Sequence, residues 1–368
     1  MKKIIIFVND YNYFISHKYD ALKELDNKKY LFEIFSPHKI NYKKSNFYFK
    51  PYFIDPLSKN LLKEFYTFFQ MFFIILKNKD KIFHYFTIKP ILYGSIISKI
   101  LCINKNLFIF SGLGNILLNP VNSFYKNFII FLLKISLNSK KHKFIFQNKN
   151  DYKFLKINKI IESKNIFFTI GSGLNFKKMP KLKKINKNSL NIIMPCRMKY
   201  HKGIMDLIEI AKYFKKSNKN INFFLAGNTK NSNDYINYNY LNSLSKKKDN
   251  IKWLKEIKSK KYLYENYDII LILSFYGEGI PRVILESTYY GKTLISYNIP
   301  GCKDVIKKNI NGYLIKLRDK KSVCITIEML YKNRLLLNKN SKTARLFAFK
   351  NFGIDKVKKV YEKIYLQI

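Results

Sequence analysis

Short apolar runs alternate with longer segments of helical periodicity along the first half of the chain. The runs are rich in Ile, Phe and Val and lie at residues 4–8, 31–35, 82–85, 107–110 and 143–147. Continuous apolar strands separated by helices are typical of parallel sheets that are covered on both faces. The pattern therefore predicts an α/β domain built on a doubly wound sheet.

The same alternation starts again in the second half. The second series of apolar runs lies at residues 191–195, 221–226, 251–254, 269–273 and 293–296. Residues 171–189, between the two series, are polar, rich in Lys and interrupted by Gly and Pro, which is typical of a linker. We therefore predict two Rossmann-like domains, at 1–174 and 175–350. A closing segment at 351–368 has helical spacing and is expected to pack back toward the first domain.

Open α/β sheets bind their ligands outside the carboxyl ends of the strands. Two such domains that face each other enclose a cleft, which is where we expect the functional site. The chain has 368 residues, of which 47% are hydrophobic, so it can bury substantial cores and a disordered class is excluded.

The chain is strongly basic, with 69 Lys and Arg against 24 Asp and Glu and a formal net charge of +45. This charge fits a nucleic acid, an anionic membrane or a phosphate-bearing substrate. A general preference for residues with AT-rich codons is a simpler alternative. Lysine is spread over the whole chain, whereas nucleic-acid-binding modules cluster their basic residues. Charge alone therefore leaves the partner open.

The chain shows no sign of export or of membrane crossing. Its four cysteines form no CxxC pair, which fits a reducing compartment. The longest apolar runs, at 65–76 and 128–133, are shorter than the ~20 residues that span a bilayer. We expect a cytoplasmic protein that is soluble or peripheral on the membrane. The Phe-rich segment 64–77 fits either a core helix or a helix with one face in a membrane.

Two glutamates flank a predicted turn and helix that follow the run at 269–273. Glu278 lies in a glycine-containing turn, and Glu286 lies eight positions later in a helix predicted over 281–290, which Gly291 would end. A helix N-terminus after a strand favours anions. Carboxylates at these positions can accept hydrogen bonds from sugar hydroxyls, although both could equally be solvated acids.

Two basic residues follow the run at 191–195. Arg197 and Lys202 precede Gly203, and a second glycine, Gly227, ends the run at 221–226. Two cations beside a tight turn can neutralise a departing diphosphate without a metal. In a chain this rich in Lys, surface charge is the alternative interpretation.

These segments together resemble family-4 glycosyltransferases, which are retaining enzymes of the GT-B fold. The resemblance rests on EGIP at 278–281, LE at 285–286, PG at 300–301, NG at 311–312, the RMKYHKG element at 197–203 and FFLAGN at 223–228. It implies that Glu278 contacts the donor sugar, that Glu286 holds the ribose, and that Arg197 and Lys202 act on the diphosphate. The remaining donor-binding positions that it implies are Gly279, Ile280, Pro281, Gly227, Gly203 and Gly112.

The first half resembles a bacterial subgroup that extends sugars linked to a lipid diphosphate. The matching segments are SHK at 16–18, HYFTIKPILYGS at 84–95, SGLG at 111–114, QNKND at 147–151 and GSGLN at 171–175. We assign acceptor contacts to Ser16 and His17, which match the subgroup, and to Lys89, and we assign a catalytic role to His84. A structural role is also open for both histidines, and Lys89 could equally be a solvated lysine. Residues 9–13 lack the glycines common in the family, so the acceptor loop is expected to differ.

The expected activity is transfer of a hexosyl or N-acetylhexosaminyl unit from a nucleotide sugar, with UDP as the nucleotide. The expected acceptor is a saccharide on a polyprenyl diphosphate lipid, in the synthesis of a cell-surface polysaccharide such as O-antigen or capsule. No cofactor, metal or nucleic acid is expected, and the enzyme would lie on the inner face of the cell membrane. The alternatives are a sugar-nucleotide epimerase of the same architecture, a basic nucleic-acid-binding protein and a degenerate scaffold.

Overall fold

A computed structural model of the chain describes residues 1–25, 28–38, 41–56, 58, 60–114, 117, 124–162, 164–176, 179–180, 188–217, 219–246, 250–276 and 279–368. The chain forms two compact units. Unit 1 comprises Met1–Asn175, the short stretch 279–280 and Ile354–Ile368, and unit 2 comprises Phe176–Gly277 and Pro281–Gly353.

Unit 1 is built on an eight-stranded sheet with the order β3-β4-β2-β1-β5-β6-β7-β8. Its strands are β1 (Lys2–Phe7), β2 (Tyr30–Ser36), β3 (Tyr42–Lys44), β4 (Phe47–Pro51), β5 (Ile82–Phe86), β6 (Asn106–Phe110), β7 (Lys143–Phe146) and β8 (Ile166–Phe168). All pairings are parallel except that of β3 with β4. The five apolar runs predicted as strands are confirmed, and β3, β4 and β8 are additional.

Helices cover both faces of this sheet. They are α1 (Tyr11–His17), α2 (Tyr19–Lys23), α3 (Leu61–Leu76), α4 (Ile88–Ile100), α5 (Phe124–Leu137) and α6 (Lys149–Ile157). Alternate strand residues point to opposite faces, so each strand supplies two cores. On β1, Ile5 and Phe7 enter the core beneath α3, α4 and α5, whereas Ile4 and Ile6 enter the core beneath α1 and α2.

Unit 2 is built on a six-stranded parallel sheet with the order β11-β10-β9-β12-β13-β14. Its strands are β9 (Leu190–Pro195), β10 (Ile221–Ala226), β11 (Ile251–Trp253), β12 (Ile269–Ile272), β13 (Thr293–Tyr297) and β14 (Gly312–Ile315). The central strand β9 pairs with β10 on one side and β12 on the other. The strand order therefore reverses beside β9, which makes its carboxyl end a topological switch point.

The helices of unit 2 begin with a 3-10 turn at Tyr200–Lys202. They continue as α7 (Ile204–Lys215), α8 (Tyr238–Lys246), α9 (Lys260–Glu265), α10 (Arg282–Tyr289), α11 (Cys302–Val305), α12 (Lys320–Lys332) and α13 (Arg334–Asn351). The helix predicted over 281–290 corresponds to α10. Pro281 is its N-cap rather than its first helical residue, and Gly291 follows it with a left-handed φ of 68°.

One further helix, α14 (Ile354–Leu366), follows unit 2 in sequence but belongs to unit 1. Its buried side chains, including Val357, Tyr361 and Tyr365, enter the core beneath α1 and α2. None of the helices in the described parts of the chain combines the length and apolarity needed to cross a membrane.

Candidate functional site

The carboxyl ends of β9, β10 and β12 bring several predicted site residues together in unit 2. Arg197 to Gly203 follow β9, and Gly227 follows β10. A Cβ added to Gly203 would lie 2.1 Å from the carbonyl oxygen of Leu273, just beyond β12, and one added to Gly227 would lie 1.8 Å from that of Cys196. Only glycine fits at these two positions, so the loop that carries the cations packs directly on both neighbouring strands.

Lys202 has an electrostatic environment that suits anion binding. Burial lowers the pKa of its ammonium group to about 8, and the positive charges of Arg197 and Lys199 act in the same direction. Arg197 itself is exposed. Crowded cations of this kind are stabilised by an arriving anion, because its charge offsets both the desolvation and the mutual repulsion.

A cavity of ≈ 780 Å³ opens beside the same turn. Its wall includes Tyr200 from the 3-10 turn, together with Thr229, Lys230, Tyr235 and Tyr238 from the segment that follows β10. Hydroxyl, amide and ammonium groups therefore face this space, and they supply both donors and acceptors for a polar ligand.

Glu286 is buried on α10, where three side chains hold its carboxylate. Lys260 Nζ lies 2.5 Å and Arg282 Nε 2.8 Å from Oε1, and the Tyr264 hydroxyl donates to Oε2 at 2.9 Å. Burial raises the pKa of Glu286, but the two cations outweigh it, and the pKa is lowered overall. Glu286 is therefore an ionised, fixed acceptor rather than a solvated surface acid.

Sequence reasoning did not identify these three partners of Glu286. Arg282 stands four positions before Glu286, and an i, i+4 pair of opposite charges on a helix is a signal that could have revealed it. Lys260 and Tyr264 lie on α9 and are brought to Glu286 only by the tertiary fold.

The EGIP segment is described only in part. Glu278 lies outside the described residues. Gly279 and Ile280 belong to unit 1, although the sequence placed them in the second domain. A Cβ on Gly279 would lie 2.1 Å from the Ser111 carbonyl oxygen and 2.9 Å from Gln147 Oε1. The backbone at Gly279 therefore packs against the residues that follow β6 and β7, and there is no room for a side chain at this position.

Ser16, His17 and Gly112 lie near the carboxyl edge of the unit 1 sheet. Ser16 and His17 are on α1, which follows β1. The Ser16 hydroxyl lies 2.7 Å from His17 Nδ1, and the His17 ring stacks on Tyr13 with centroids 4.8 Å apart. Gly112 follows β6 with a φ of 126°. Ser16 is exposed and His17 is half-buried, so both remain accessible from this edge.

Lys18 is a further cation at this edge that sequence reasoning did not select. Its side chain is buried beside the rings of Tyr13 and Phe86, with Nζ 5.7 Å and 5.3 Å from their centroids. Burial lowers the pKa of Lys18 to about 7. The signal in the sequence was its position, since it is the third residue of the SHK segment.

The predicted catalytic role of His84 is at odds with its position. His84 lies in the middle of β5, fully buried, and its Nδ1 is 2.9 Å from the Tyr365 hydroxyl on α14. Burial, with the nearby charge of Lys18, holds the pKa of the imidazole well below its usual range. Because the core seals the ring from substrate, the structure gives His84 a packing role instead.

Lys89 also has a structural role, because its side chain binds other parts of unit 1 rather than a ligand. Its ammonium group donates to the carbonyl oxygens of Asp55 at 2.8 Å and Ser58 at 3.0 Å, and to Glu64 Oε1 at 2.7 Å. A lysine has three N–H donors, so all of them are used. Instead of the predicted acceptor contact, Lys89 makes hydrogen bonds that link α4 to α3 and to the loop before α3.

The two α/β units, each built on a mainly parallel sheet, define a fold class, the GT-B fold of glycosyltransferases, and the predicted class is confirmed. HepE from Anabaena, solved with UDP and glucose, matches with a TM-score of 0.77 at 12% identity over 100% of both chains. Sucrose-phosphate synthase from Thermosynechococcus elongatus matches with a TM-score of 0.78 at 14% identity over 100% of this chain and 99% of that one. Likeness at such low identity establishes the fold.

The sequence of the second half resembles one family. Residues 175–347 match the model of the family described as Glycosyl transferases group 1.

Two curated bacterial relatives carry names that specify their substrates. The N,N'-diacetylbacillosaminyl-diphospho-undecaprenol α-1,3-N-acetylgalactosaminyltransferase of Campylobacter jejuni is 27% identical over 68% of this chain and 66% of its own length. The UDP-Gal:α-D-GlcNAc-diphosphoundecaprenol α-1,3-galactosyltransferase of Escherichia coli is 28% identical over 48% of this chain and 46% of its own length. The chain thus spans about half to two thirds of the relatives it matches.

Proposed function

We propose that the protein is a retaining family-4 glycosyltransferase that transfers a hexosyl or N-acetylhexosaminyl unit from a UDP-sugar to a saccharide on a polyprenyl diphosphate. The observation that carries the proposal is the match to the group 1 family, together with the two curated relatives above that are named for transfer to undecaprenol-diphosphate-linked sugars. The enzyme would act at the membrane that holds this lipid, in the assembly of a cell-surface glycan.

We expect the residues at the edge of unit 2 to supply the chemistry that the donor needs. In the transfer, the bond between the sugar C1 and the diphosphate oxygen breaks, a bond from C1 to an acceptor hydroxyl oxygen forms, and the hydroxyl proton passes to the departing diphosphate. Negative charge therefore develops on the diphosphate. Arg197 and Lys202 would stabilise it, and such preorganised charge acts most strongly in the transition state.

Glu286 would bind the ribose hydroxyls as an acceptor. Arg282, Lys260 and Tyr264 fix its orientation before the nucleotide arrives, which reduces the ordering that binding must supply. Glu278 would contact the donor sugar, as the resemblance implies. In unit 1, Ser16, His17 and the buried Lys18 are among the polar groups near the edge where an acceptor would be received.

The first experiment is thermal denaturation of the full chain with a panel of UDP-hexoses and UDP-N-acetylhexosamines. A ligand that binds only the folded state raises the melting temperature, so at least one UDP-sugar should do so. Absence of stabilisation by every nucleotide sugar would remove the basis for a donor site.

The second experiment is transfer of a radiolabelled sugar to a polyprenyl diphosphate saccharide. Lys202→Ala should lower turnover by about 10²–10³-fold, the usual effect of losing one charge-stabilising contact. Lys212→Ala, at an exposed lysine on α7, is the matched control and should transfer normally. Epimerised UDP-sugar formed without any acceptor would instead identify an epimerase.

A further inference from the structure

The outer face of α3 carries an apolar stripe that the protein leaves uncovered. Phe65, Phe69 and Phe73 follow one another at i, i+4 and i+8, and each is more than half exposed. Leu62, one turn earlier, is 80% exposed. The opposite face of the same helix is buried through Met71 and Ile75. A surface helix of a soluble domain normally turns polar residues outward, so α3 is apolar on a face that has no role in the core.

The outer face of α5 repeats this arrangement. Phe124, Phe128, Phe131 and Ile135 recur every three or four residues and are between 42% and 88% exposed, whereas Leu133 on the inner face is fully buried. Phe124 and Phe128 stack on each other with centroids 6.4 Å apart.

The two stripes lie on the same side of unit 1. Both α3 and α5 pack against α4, which lies between them. Tyr93 of α4 donates its hydroxyl hydrogen to Glu64 of α3. The negative charge of Glu64 also reaches Tyr125 of α5, whose pKa is raised by burial and by that charge. We call the eight exposed residues of the two stripes the α3–α5 surface. Exposed apolar area on this scale, repeated on two helices of one face, marks an interaction site.

The charges around the α3–α5 surface are almost all positive. Residues 60–81 contain Lys63, Lys77, Lys79 and Lys81 against two acids, Glu64 and Asp80. Both acids are already paired, with Lys89 and Lys81 respectively. Residues 124–141 contain four further lysines and no acidic residue.

We propose that the α3–α5 surface docks on the headgroup region of a bilayer that contains anionic lipids. Helices that lie in a membrane interface combine an inserted Phe and Leu face with flanking lysines that reach the headgroups. Each lysine near an anionic leaflet adds about 1 kcal/mol of attraction. A second copy of the chain would meet the same positive charges, and like charges oppose that pairing.

This proposal extends the proposed function, because a polyprenyl-linked acceptor resides in a bilayer. The choice of a bilayer as the partner of the α3–α5 surface rests in part on the proposed function. The residues themselves are separate from the donor site. Membrane binding can therefore be measured without a nucleotide sugar, and transfer can be measured without a membrane.

The test is flotation of the full chain with vesicles of phosphatidylcholine alone or with 30% phosphatidylglycerol. The wild-type chain should float with the anionic vesicles. Phe65→Gln/Phe69→Gln/Phe73→Gln and Phe124→Gln/Phe128→Gln/Phe131→Gln should each lower the bound fraction by about tenfold, because binding scales with inserted apolar area. The control Ile157→Gln/Leu335→Gln/Leu346→Gln removes three other apolar residues, each 64–81% exposed, and should float like wild type.

Three outcomes would overturn the proposal. The first is that the wild-type chain does not float with the anionic vesicles. The second is that the control variant loses as much binding as the two Phe variants. The third is that the chain dimerises without vesicles as its concentration rises, and that both Phe variants abolish this dimerisation. Transfer to a water-soluble acceptor with a short lipid chain separates the two proposals. The triple variants should retain that activity, whereas absence of transfer by the wild type, with flotation intact, would count against the proposed function alone.

Discussion

Lys202 is the residue whose binding role depends most directly on pH. Its pKa of about 8 lies below the usual lysine value, so the ammonium group loses its charge as pH rises through 8. If this charge holds a diphosphate, affinity for UDP should fall by about tenfold between pH 7 and pH 9, the ratio of charged fractions for that pKa. Isothermal titration calorimetry across this range measures it.

Lys202→Arg provides the control, because a guanidinium group stays protonated throughout this pH range. Its affinity for UDP should vary much less between pH 7 and pH 9. Parallel pH profiles for the wild type and the variant would show that another group controls the binding.

Single residues were predictable from sequence where their roles depend on local spacing. Arg197, Lys202, Gly203 and Gly227 follow strand ends, and the structure places them at one edge of unit 2. Roles that depend on distant partners were not predictable. Nothing near Lys89 in the sequence indicates that residues 55, 58 and 64 would consume its three donors.

His84 is a second residue whose role depends on a distant partner and was not predictable from sequence. Its place in a TIKP-type segment suggested chemistry, yet the residue that decides its environment is Tyr365, 281 positions later. Sequence patterning shows that β5 is apolar and buried, but it does not show which helix covers that strand. The partner therefore had to come from the structure.

The inner strands were the most predictable elements. All five apolar runs of the first half and four of the second became strands inside their sheets, whereas the remaining run became the edge strand β11. Strands covered on both faces need continuous apolar residues. The strands that sequence reasoning missed lie toward the sheet edges. All three residues of β3 are exposed, and none of β8 is buried. Exposed edge strands lose the apolar pattern on which such predictions rest.

The junction between the 3-10 turn and α7 depends on one glycine. Gly203 has a φ of 80°, and a Cβ there would lie 2.1 Å from the Leu273 carbonyl oxygen. We expect Gly203→Ala to destabilise unit 2 by about 3 kcal/mol, which combines about 1–2 kcal/mol for the left-handed conformation with the clash. Hydrogen exchange of β9 and β12, followed by mass spectrometry, measures the loss.

Gly114→Ala is the matched variant for this prediction. Gly114 also has a left-handed φ, of 70°, but a Cβ added there would meet no described atom within 4 Å. Gly114→Ala should lower the stability of unit 1 by only about 1–2 kcal/mol. The loss of hydrogen-exchange protection should be confined to β6 and its neighbouring strands. Equal effects of the two substitutions would mean that the contact with Leu273 is relieved by a small shift.

At the scale of the whole molecule, α14 makes unit 1 discontinuous in sequence. Deletion of Ile354–Ile368 removes Val357, Tyr361 and Tyr365 from the core and leaves His84 without its partner. We expect unit 1 to lose hydrogen-exchange protection while unit 2 unfolds at an unchanged temperature. The sole tryptophan, Trp253, lies on β11 and reports unit 2 by fluorescence.

Leu366→Ser controls for changes to α14 that spare the core, because Leu366 is 72% exposed. This variant should keep the protection of unit 1. If the deletion lowered the Trp253 transition as well, the two units would unfold as one cooperative body.

The position of α14 also has a consequence during synthesis. The first 175 residues leave the ribosome long before the helix that completes their core, because 353 − 175 = 178 residues are translated in between. At about 5–20 residues per second this interval is roughly 10–40 s. Unit 2 is continuous from Phe176 onward apart from 278–280 and can form during that time. The nascent first unit meanwhile exposes the apolar groove that α14 will fill, and we expect it to depend on a chaperone until α14 has left the ribosome.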